Sequence, residues 1–333
     1  MNVSNFKNGT NNPIHINFSV GYFLLSNITI ITNLFLISII TLRRIRSLNS
    51  TIMASMCTVD ILYATIYLYP RFAFPMSSRS NIYFCNILPK LGIAFIINLS
   101  FHLCLLSLDK YLSITRPFFY NNHATIGKGS LVICMSWIAS LLIAFLPFFT
   151  FDNIHRSICS LYSENLENDR IYLLFVFIIL FFMPLTSSII VYLRLFIIVY
   201  RHNSRIIYEN ASRSNRAINV IIKNKKVIFQ VCAVIGMFTV CMTPYTICFL
   251  TIGLVAPLSK SAITHLIASQ YLAFAYPSIN PLVYGYFMAD TRHEIITLFR
   301  KMCGYSTEQK KPNHYSASQI TGKLRSNSIS INY

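Results

Sequence analysis

The chain has 333 residues, of which 54% are hydrophobic and only 11% are charged, and its formal net charge is +18. A soluble domain carries about 25% charged residues, so this composition excludes a water-soluble surface over most of the chain. The basic excess does not predict nucleic-acid binding, because most lysines and arginines flank apolar segments, where membrane topology and anionic lipid account for them. The sequence contains no metal-ligand cluster and no nucleophile with a partnered base, so we do not predict an enzyme.

The first 21 residues form a polar amino-terminal tail that lacks the apolar region of a cleavable signal peptide. This tail carries N-glycosylation sequons at Asn2, Asn8 and Asn17, which predicts a glycosylated extracellular segment. We expect the first apolar run that follows to act as both targeting signal and membrane anchor.

Seven apolar segments are long enough to cross a bilayer, which requires about 20 residues in a helix. They are residues 22–42, 51–73, 86–110, 129–150, 171–197, 226–253 and 264–286. Helices are expected because they satisfy their own backbone hydrogen bonds in lipid. The predicted fold is an all-α membrane protein, a seven-transmembrane helix bundle over residues 22–302.

The carboxyl-terminal part of the chain predicts two further features. Apolar residues at helical spacing opposite basic ones predict a short cytoplasmic interfacial helix at 291–302. Residues 303–333 are polar and predict a disordered cytoplasmic tail. Cys303 is a candidate palmitoylation site, with a free thiol as the alternative. Candidate phosphorylation sites for arrestin recruitment are Ser306, Thr307, Ser316, Ser318, Ser326, Ser328 and Ser330.

The distribution of positive charge predicts the orientation of the bundle. If the amino terminus is extracellular, 21 of the 28 lysines and arginines lie in cytoplasmic segments. Positive charge collects on the inner side of membrane proteins. We therefore predict a multi-pass protein of the plasma membrane with an extracellular amino terminus.

Polar residues inside membrane helices are costly and indicate function. Asn33, Asp60, Asn98 and Asn280 lie near the middle of their predicted helices, and Asp60 is the only acid deep within a span. Two interpretations stay open: a lone structural carboxylate, or a polar cluster that changes between two helix packings. Prolines within the spans predict kinks, which a channel or transporter would also tolerate.

The predicted helices also carry one motif each, in chain order. The matching residues are Asn33, Asp60, the triplet Asp109-Lys110-Tyr111, Trp137, Pro184 with Tyr192, the segment from Phe238 to Pro244, and Asn280-Pro281-Leu282-Val283-Tyr284. This series resembles the landmarks of rhodopsin-like G-protein-coupled receptors, including the Asp-Arg-Tyr, F-x-x-C-W-x-P and N-P-x-x-Y motifs. The resemblance covers about residues 22–302.

The resemblance implies a two-state switch in which an extracellular ligand favours one helix packing and a heterotrimeric G protein binds the opened inner end. The switch residues it implies are Asp109, Lys110, Tyr111, Tyr192, Phe238, Pro244, Asn280, Pro281 and Tyr284. It also implies a disulfide between Cys85 and Cys159 that lays the second outer loop across the helix mouth.

The chain departs from the family pattern in three respects, which involve four positions. Lys110 stands where the family has Arg, so the bidentate fork is lost and we expect weak restraint of the inactive state. Met242 replaces the usual Trp of the sixth helix. Leu99 and Tyr276 replace residues that help Asp60 hold a sodium ion, although Asn33, Asp60 and Asn280 remain, so an allosteric sodium site stays open.

The ligand class follows from two positions. Gly92 precedes Lys110 by five helical turns and so faces the bundle interior, where the family's amine receptors carry an Asp that pairs with the ligand ammonium. Glycine offers no such charge, so we do not predict an amine ligand. The retinal lysine of opsins falls on Phe274, which argues against retinal.

The remaining outer residues are aromatic or apolar with two bases at the rim, which suits a peptide or a lipid-like acid, and we favour a peptide. The candidate ligand-binding residues are Tyr67, Arg71, Lys90, Gly92, Ile96, Met242, Tyr245, Phe249, Gln270 and Phe274. Arg71 and Lys90 could instead extend to lipid headgroups. Two alternative functions remain: a polytopic transporter or channel, although no repeated half is evident, and a receptor-fold decoy or heteromeric partner with weak signalling.

Overall fold

The computed structural model describes residues 13–42, 47–73, 87–150, 171–172, 174–176, 182–209, 215–254, 260–287, 292, 296–297 and 300. All regular secondary structure in this part of the chain is helical. The helices are α1 (Pro13–Leu42), α2 (Leu48–Leu62) with a π-helical continuation (Tyr63–Ala73), α3 (Leu88–Thr115), α4 (Pro117–His123), α5 (Ile126–Thr150), α6 (Met183–Glu209), α7 (Asn215–Leu254) and α8 (Lys260–Phe287).

The helices pack into a closed ring. Helix α1 contacts α2, α2 contacts α3, α3 contacts α6, α6 contacts α7, α7 contacts α8, and α8 returns to α1. Helix α3 lies most centrally, because it also contacts α5, α7 and the π-helical segment. Helices α1, α2, α3, α5, α6, α7 and α8 lie over the seven predicted spans in order, and the all-α prediction is confirmed.

Five of these helices are long and apolar enough to cross a membrane: Ser19–Leu42, Leu48–Phe72, Leu88–Thr115, Ile126–Leu146 and Cys232–Thr251. On α5 the side chains of Leu131 and Leu142 are each 63% exposed, as expected where lipid covers the outer face. Helix α6 has a shorter apolar stretch, Ser188–Ile198. Helix α8 is less apolar because its buried face includes Ser269, Ser278 and Asn280.

Several helix ends differ from the predicted spans. Helix α1 begins at Pro13 rather than at residue 22, α3 continues to Thr115, α6 to Glu209, and α7 begins at Asn215 rather than at 226. Hydropathy reports only the part of a helix within hydrocarbon, whereas the backbone hydrogen-bond pattern continues through the polar ends. Within the predicted interfacial helix 291–302, residues 292, 296, 297 and 300 are helical, and the others lie outside the described residues.

Side chains from neighbouring segments donate hydrogen bonds to backbone carbonyl oxygens that have no helical donor because of a proline. A proline at position i cannot donate to the carbonyl of residue i−4. Pro281 therefore frees the carbonyl of Pro277, and Asn33 Nδ2 on α1 donates to that oxygen at 2.9 Å. Pro147 likewise frees the carbonyl of Ile143, and the Tyr172 hydroxyl lies 3.2 Å from that oxygen and 3.1 Å from the carbonyl oxygen of Ala144. These contacts tie proline-containing helices to their neighbours.

Candidate functional site

Aromatic rings from α1, α2 with its π-helical continuation, α3, α7 and α8 meet at one end of the bundle. We call this set the aromatic cluster: Tyr22, Tyr63, Tyr67, Phe72, Phe95, Tyr245, Phe249, Tyr271 and Phe274. Phe274 lies at its centre and is 1% exposed. Its ring centroid lies 5.4 Å from that of Phe72, 5.7 Å from Tyr63 and 5.9 Å from Tyr245. Such edge and tilted contacts stabilise a packed aromatic site.

Gly92 on α3 packs directly beneath the ring of Tyr67. A Cβ atom at position 92 would lie 2.5 Å from Tyr67 Cε2 and 2.7 Å from Cζ, closer than real side chains approach. The ring itself stacks on Tyr63, with centroids 5.3 Å apart, and has Phe72 on another side. Tyr67 therefore takes up the space in which a side chain at position 92 would lie.

The polar groups of the aromatic cluster are mainly hydrogen-bond donors. The hydroxyl of Tyr22 donates to Gln270 Oε1 at 2.9 Å. The hydroxyl of Tyr63 is buried and has no hydrogen-bond partner among the described residues. Arg71 is exposed and lies next to Phe72, whose ring contacts that of Tyr67. The site therefore offers positive charge and hydroxyl protons to a bound molecule.

Below the aromatic cluster lies a buried polar core centred on Asp60, which is 1% exposed. Asn280 interacts with the Asp60 carboxyl group. No hydrogen bond of ordinary geometry reaches Asp60 Oδ2 within the described part of the chain, and the same holds for Asn33 Oδ1. The hydroxyl of Tyr276 donates to Asn280 Oδ1 at 3.4 Å. The core therefore has oxygen atoms with unused acceptor capacity.

The predicted F-x-x-C-W-x-P segment lies between the aromatic cluster and the polar core. Phe238 is 0% exposed and Met242 is 2% exposed. The ring of Phe238 meets Tyr276 edge-on, with centroids 5.2 Å apart and planes at 75°. An aromatic side chain of α8 thus contacts the helix in which Met242 replaces the expected Trp.

At the other end of the bundle, α3 and α4 form a compact polar contact. Lys110 Nζ lies 3.1 Å from Asp109 Oδ2, and the Tyr120 hydroxyl donates to Asp109 Oδ1 at 2.6 Å. Burial, and after it the hydrogen bond to Asp109, raises the pKa of the Tyr120 phenol above its ordinary value, so this donor keeps its proton at neutral pH. The carboxylate is therefore held from two sides.

The three tyrosines among the predicted switch residues occupy different environments. Tyr192 and Tyr284 are buried, at 5% and 1% exposed. The Tyr284 hydroxyl donates to Met56 Sδ at 3.5 Å. Tyr111 is partly buried and packs against the hydrophobic core. Tyr192 and Tyr284 thus both belong to the buried core of the bundle.

A family model of seven-transmembrane receptors of the rhodopsin family matches residues 32–284. The match runs from α1 to the end of the N-P-x-x-Y motif and covers more than half of the chain. The chain belongs to the rhodopsin family. Its fold is accordingly the seven-helix bundle, and the receptor is a signalling protein of a non-enzymatic family with a ligand and a G protein as expected partners.

Curated relatives of this receptor include proteins named for amines. It is 26% identical to the histamine H2 receptor of Canis lupus familiaris over 329 residues, which cover 96% of this chain and 86% of that protein. It is 25% identical to the histamine H2 receptor of Cavia porcellus over 269 residues, 77% of this chain and 72% of that protein. It is 24% identical to trace amine-associated receptor 8b of Mus musculus over 271 residues, 76% of this chain and 77% of that protein.

The structure brings most of the candidate ligand residues of the receptor together. Tyr67, Gly92, Tyr245, Phe249 and Phe274 lie in or against the aromatic cluster, Ile96 packs against the core beside it, and Gln270 joins it through Tyr22. Lys90 is partly buried near the start of α3. Sequence reasoning missed Tyr22, Tyr63, Phe72, Phe95 and Tyr271, although a search for aromatics along the inner faces of α1 and α8 would have found Tyr22 and Tyr271.

Several predicted sites of the receptor lie outside the described residues. These are the Cys85–Cys159 disulfide, the sequons at Asn2 and Asn8, Cys303 and the serines and threonine of the tail. Asn17 falls within α1, four residues after its start. These sites stay predictions from the sequence.

Proposed function

We propose that this receptor responds to an extracellular peptide, activates a heterotrimeric G protein, and does not recognise biogenic amines. The observation that carries the proposal is the contact between Gly92 and Tyr67. The position at which amine receptors hold an acid has neither a carboxylate nor space for one. Without that acid, an ammonium ligand has no ion-pair partner at this depth.

The names of the relatives support the competing candidate, an amine. Their identity of 23–26% fixes the family but leaves single ligand contacts free to differ. Of the described residues only Asp60, Asp109 and Glu209 are acidic, and none of them belongs to the aromatic cluster. An amine would therefore rely on cation–π contacts alone, beside the positive charge of Arg71.

The proposed mechanism is a shift between two helix packings. A ligand stabilises the active packing only to the extent that it binds that packing more tightly. In the proposal, contacts at Phe274 and Tyr245 reach Met242 and Phe238 on α7, and then Tyr276 and the Asn280–Tyr284 motif on α8. At the inner end, Asp109, Lys110 and Tyr192 rearrange as α7 moves outward and the G protein binds.

A sodium ion is a proposed allosteric ligand of the polar core. The unused oxygens of Asp60 and Asn33, together with Asn280, fit a hard cation. Leu99 contributes no oxygen, and the Tyr276 hydroxyl is the nearest replacement for the family's usual ligand. A bound sodium ion would neutralise the Asp60 carboxylate and favour the inactive packing.

Two further proposals concern partners and location. We propose that the receptor lies in the plasma membrane with its amino terminus outside, and that the phosphorylated tail recruits arrestin. A receptor-fold decoy remains the second candidate, because Lys110 and Met242 replace two residues of the switch. Such a decoy would bind its ligand without activating a G protein.

The test is a G-protein activation assay in cells that express the full chain, with energy-transfer sensors for each G-protein subtype. A peptide library and an amine panel that includes histamine and tyramine are applied, with mock-transfected cells as the control. We expect responses to peptides and none to amines. A G-protein response to an amine that mock-transfected cells do not show would refute the proposal. Peptide binding without G-protein activation would favour the decoy.

A further inference from the structure

A row of polar and aromatic side chains leads from the polar core to the rim of the bundle. Asp60, Tyr63, Tyr67 and Arg71 follow one another at intervals of three to four residues along α2 and its π-helical continuation. Tyr63 and Tyr67 stack with ring centroids 5.3 Å apart and both contact Phe274 on α8, so these two rings face the bundle interior. Arg71 follows four residues after Tyr67 and is exposed.

The outer half of this row carries a guanidinium group and tyrosine hydroxyls that can donate hydrogen bonds. Phe72, the neighbour of Arg71 in the chain, contacts Tyr67 and Phe274, and Tyr245 on α7 contacts Phe274, so Arg71 lies at the exposed edge of the aromatic cluster. The buried Tyr63 hydroxyl, one turn deeper, has no partner in the described part of the chain and can donate to an acceptor. A guanidinium group pairs with planar carboxylates through two parallel hydrogen bonds.

The rings around Arg71 determine what the rest of the ligand must be. Phe72, Tyr67, Phe274 and Tyr245 present aromatic faces and edges within one connected set of contacts. Such surfaces bind flat apolar groups. A ligand that meets both requirements has a carboxylate at one end and an aromatic or branched apolar body next to it.

We propose that Arg71 binds a carboxylate of the ligand, that the hydroxyls of Tyr67 and Tyr245 donate to the same group, and that the apolar body next to it packs on the aromatic cluster. This inference rests on the proposed function and specifies the ligand end that enters the bundle. The carboxylate comes from the free carboxyl terminus of a peptide or from a small aromatic acid. Both sources present the same chemistry to Arg71.

The experiment measures ligand-induced thermal stabilisation of the purified full-length receptor in phosphatidylcholine nanodiscs. The probes are matched pairs: N-acetyl-Phe-Leu-Phe as its free acid and as its carboxyl-terminal amide, and 4-phenylbenzoate with 4-phenylbenzamide. We expect each acid to bind about tenfold or more tightly than its amide, because a charge-assisted hydrogen-bonded pair is lost in the amide. The pair with the larger effect identifies the source of the carboxylate.

Three variants test whether Arg71 is the group responsible. Arg71→Gln is expected to abolish the preference for the acid, and Arg71→Lys to retain part of it, since the charge remains without the fork. Lys260→Gln removes a charge at the start of α8 and controls for a general change in electric field. It is expected to leave the preference intact, and the unliganded melting temperature reports whether each variant is folded.

The outcomes separate this inference from the proposed function. Equal binding of acids and amides, no binding by any probe, or an unchanged preference in Arg71→Gln would overturn the carboxylate site. The last result would mean that Arg71 extends to lipid headgroups. If amidated peptides activate the G protein as strongly as free acids, the proposed function stands and this inference fails. If only amines activate it, the proposed function itself fails.

Discussion

Gly92 has a steric role that gives a direct test of the aromatic cluster. A methyl group at this position would meet the ring of Tyr67 at 2.5 Å, and that ring cannot move freely because Tyr63, Phe72 and Phe274 surround it. We expect Gly92→Ala to destabilise the receptor by about 1–3 kcal/mol, as overpacking of a core does. Thermal denaturation of the purified protein measures the change.

The control for this prediction is another helical glycine. A Cβ atom at Gly236 on α7 meets no atom within 4 Å, so Gly236→Ala is expected to be neutral or slightly stabilising. In a Tyr67→Ala background the cost of Gly92→Ala should disappear. A cost that persists in that background would show that the ring of Tyr67 is not its cause.

Tyr276 contributes two separable contacts to the proposed switch. Its ring meets Phe238 at 5.2 Å, and its hydroxyl donates to Asn280. Tyr276→Phe keeps the first contact and Tyr276→Leu removes both. The Tyr276 ring can be compared with the Trp side chain that the family usually has at the position of Met242. If the Tyr276 ring takes over the role of that Trp, Tyr276→Leu will change ligand-free G-protein activation several-fold more than Tyr276→Phe. Equal effects of the two variants would assign the role to the hydroxyl instead.

The contact at Asp109 predicts the direction of a change in basal signalling. The Tyr120 hydroxyl donates a short hydrogen bond to Asp109, and Lys110 holds the other carboxylate oxygen. We expect Tyr120→Phe to raise ligand-free G-protein activation two- to tenfold, because loss of a hydrogen bond to a charged group costs about 1.5 kcal/mol or more. His123→Gln, on the exposed side of the same short helix, is the control. An unchanged or lowered basal signal in Tyr120→Phe would contradict this prediction.

At the scale of elements, α8 receives a hydrogen-bond donor from α1 where its own backbone lacks one. The carbonyl of Pro277 lacks a helical donor because Pro281 has no N–H, and Asn33 supplies one. We expect Asn33→Ala to lower stability by about 1 kcal/mol, the usual range for such bonds between membrane helices. In a Pro281→Ala background the backbone N–H at position 281 restores the donor, so the same substitution should cost less.

Asn27 is the matched control for this double-mutant cycle. Its Nδ2 donates only to the carbonyl of Phe23 in its own helix, one turn earlier. Asn27→Ala should therefore be nearly neutral in both backgrounds. Equal costs for Asn33→Ala with and without Pro281 would mean that the freed carbonyl does not account for the role of Asn33.

The sequence predicted the elements better than it predicted their contacts. Apolar runs located all seven helices, because lipid requires each span to satisfy its own backbone. The turns of α7 that precede Lys226, from Asn215 onward, and the seven-residue helix α4 escaped prediction, since polar helical turns carry no hydropathy signal. The stacking of Tyr22 on Tyr271, with centroids 4.3 Å apart, depends on how closely α1 and α8 cross, which a single sequence does not encode locally.

The candidate site was predictable where a motif or helical spacing defined it. Gly92 was placed in the interior by counting turns and Phe274 by its match to the retinal lysine of opsins, and both residues are buried. The ring of Tyr67 above Gly92 could not be predicted, because the π-helical turn between Tyr63 and Ala73 changes which residues face inward. The same widened turn accounts for Phe72, which sequence reasoning missed.

At the scale of the whole molecule, the orientation of the bundle determines which end receives the ligand. The proposal requires the aromatic cluster to face the extracellular medium and Lys110 to face the cytosol. The positive charge supports this direction, because 21 of the 28 lysines and arginines then lie in cytoplasmic segments. In the opposite orientation these positive charges would lie on the outer side, contrary to the rule that Lys and Arg collect on the cytoplasmic side of membrane proteins.

We therefore expect an epitope tag placed before Met1 to bind antibody on intact cells, and a tag after Tyr333 to bind only after permeabilisation. The sequons at Asn2, Asn8 and Asn17 give an independent readout, because sugars are added only to the side that becomes extracellular. Treatment with an N-glycosidase should reduce the apparent mass of the receptor, and substitution of all three asparagines by glutamine should remove that shift. Antibody access to both tags on intact cells would be incompatible with an odd number of membrane crossings. Access to the carboxyl-terminal tag alone would show that the bundle has the opposite orientation, with Lys110 rather than Arg71 at the outer face.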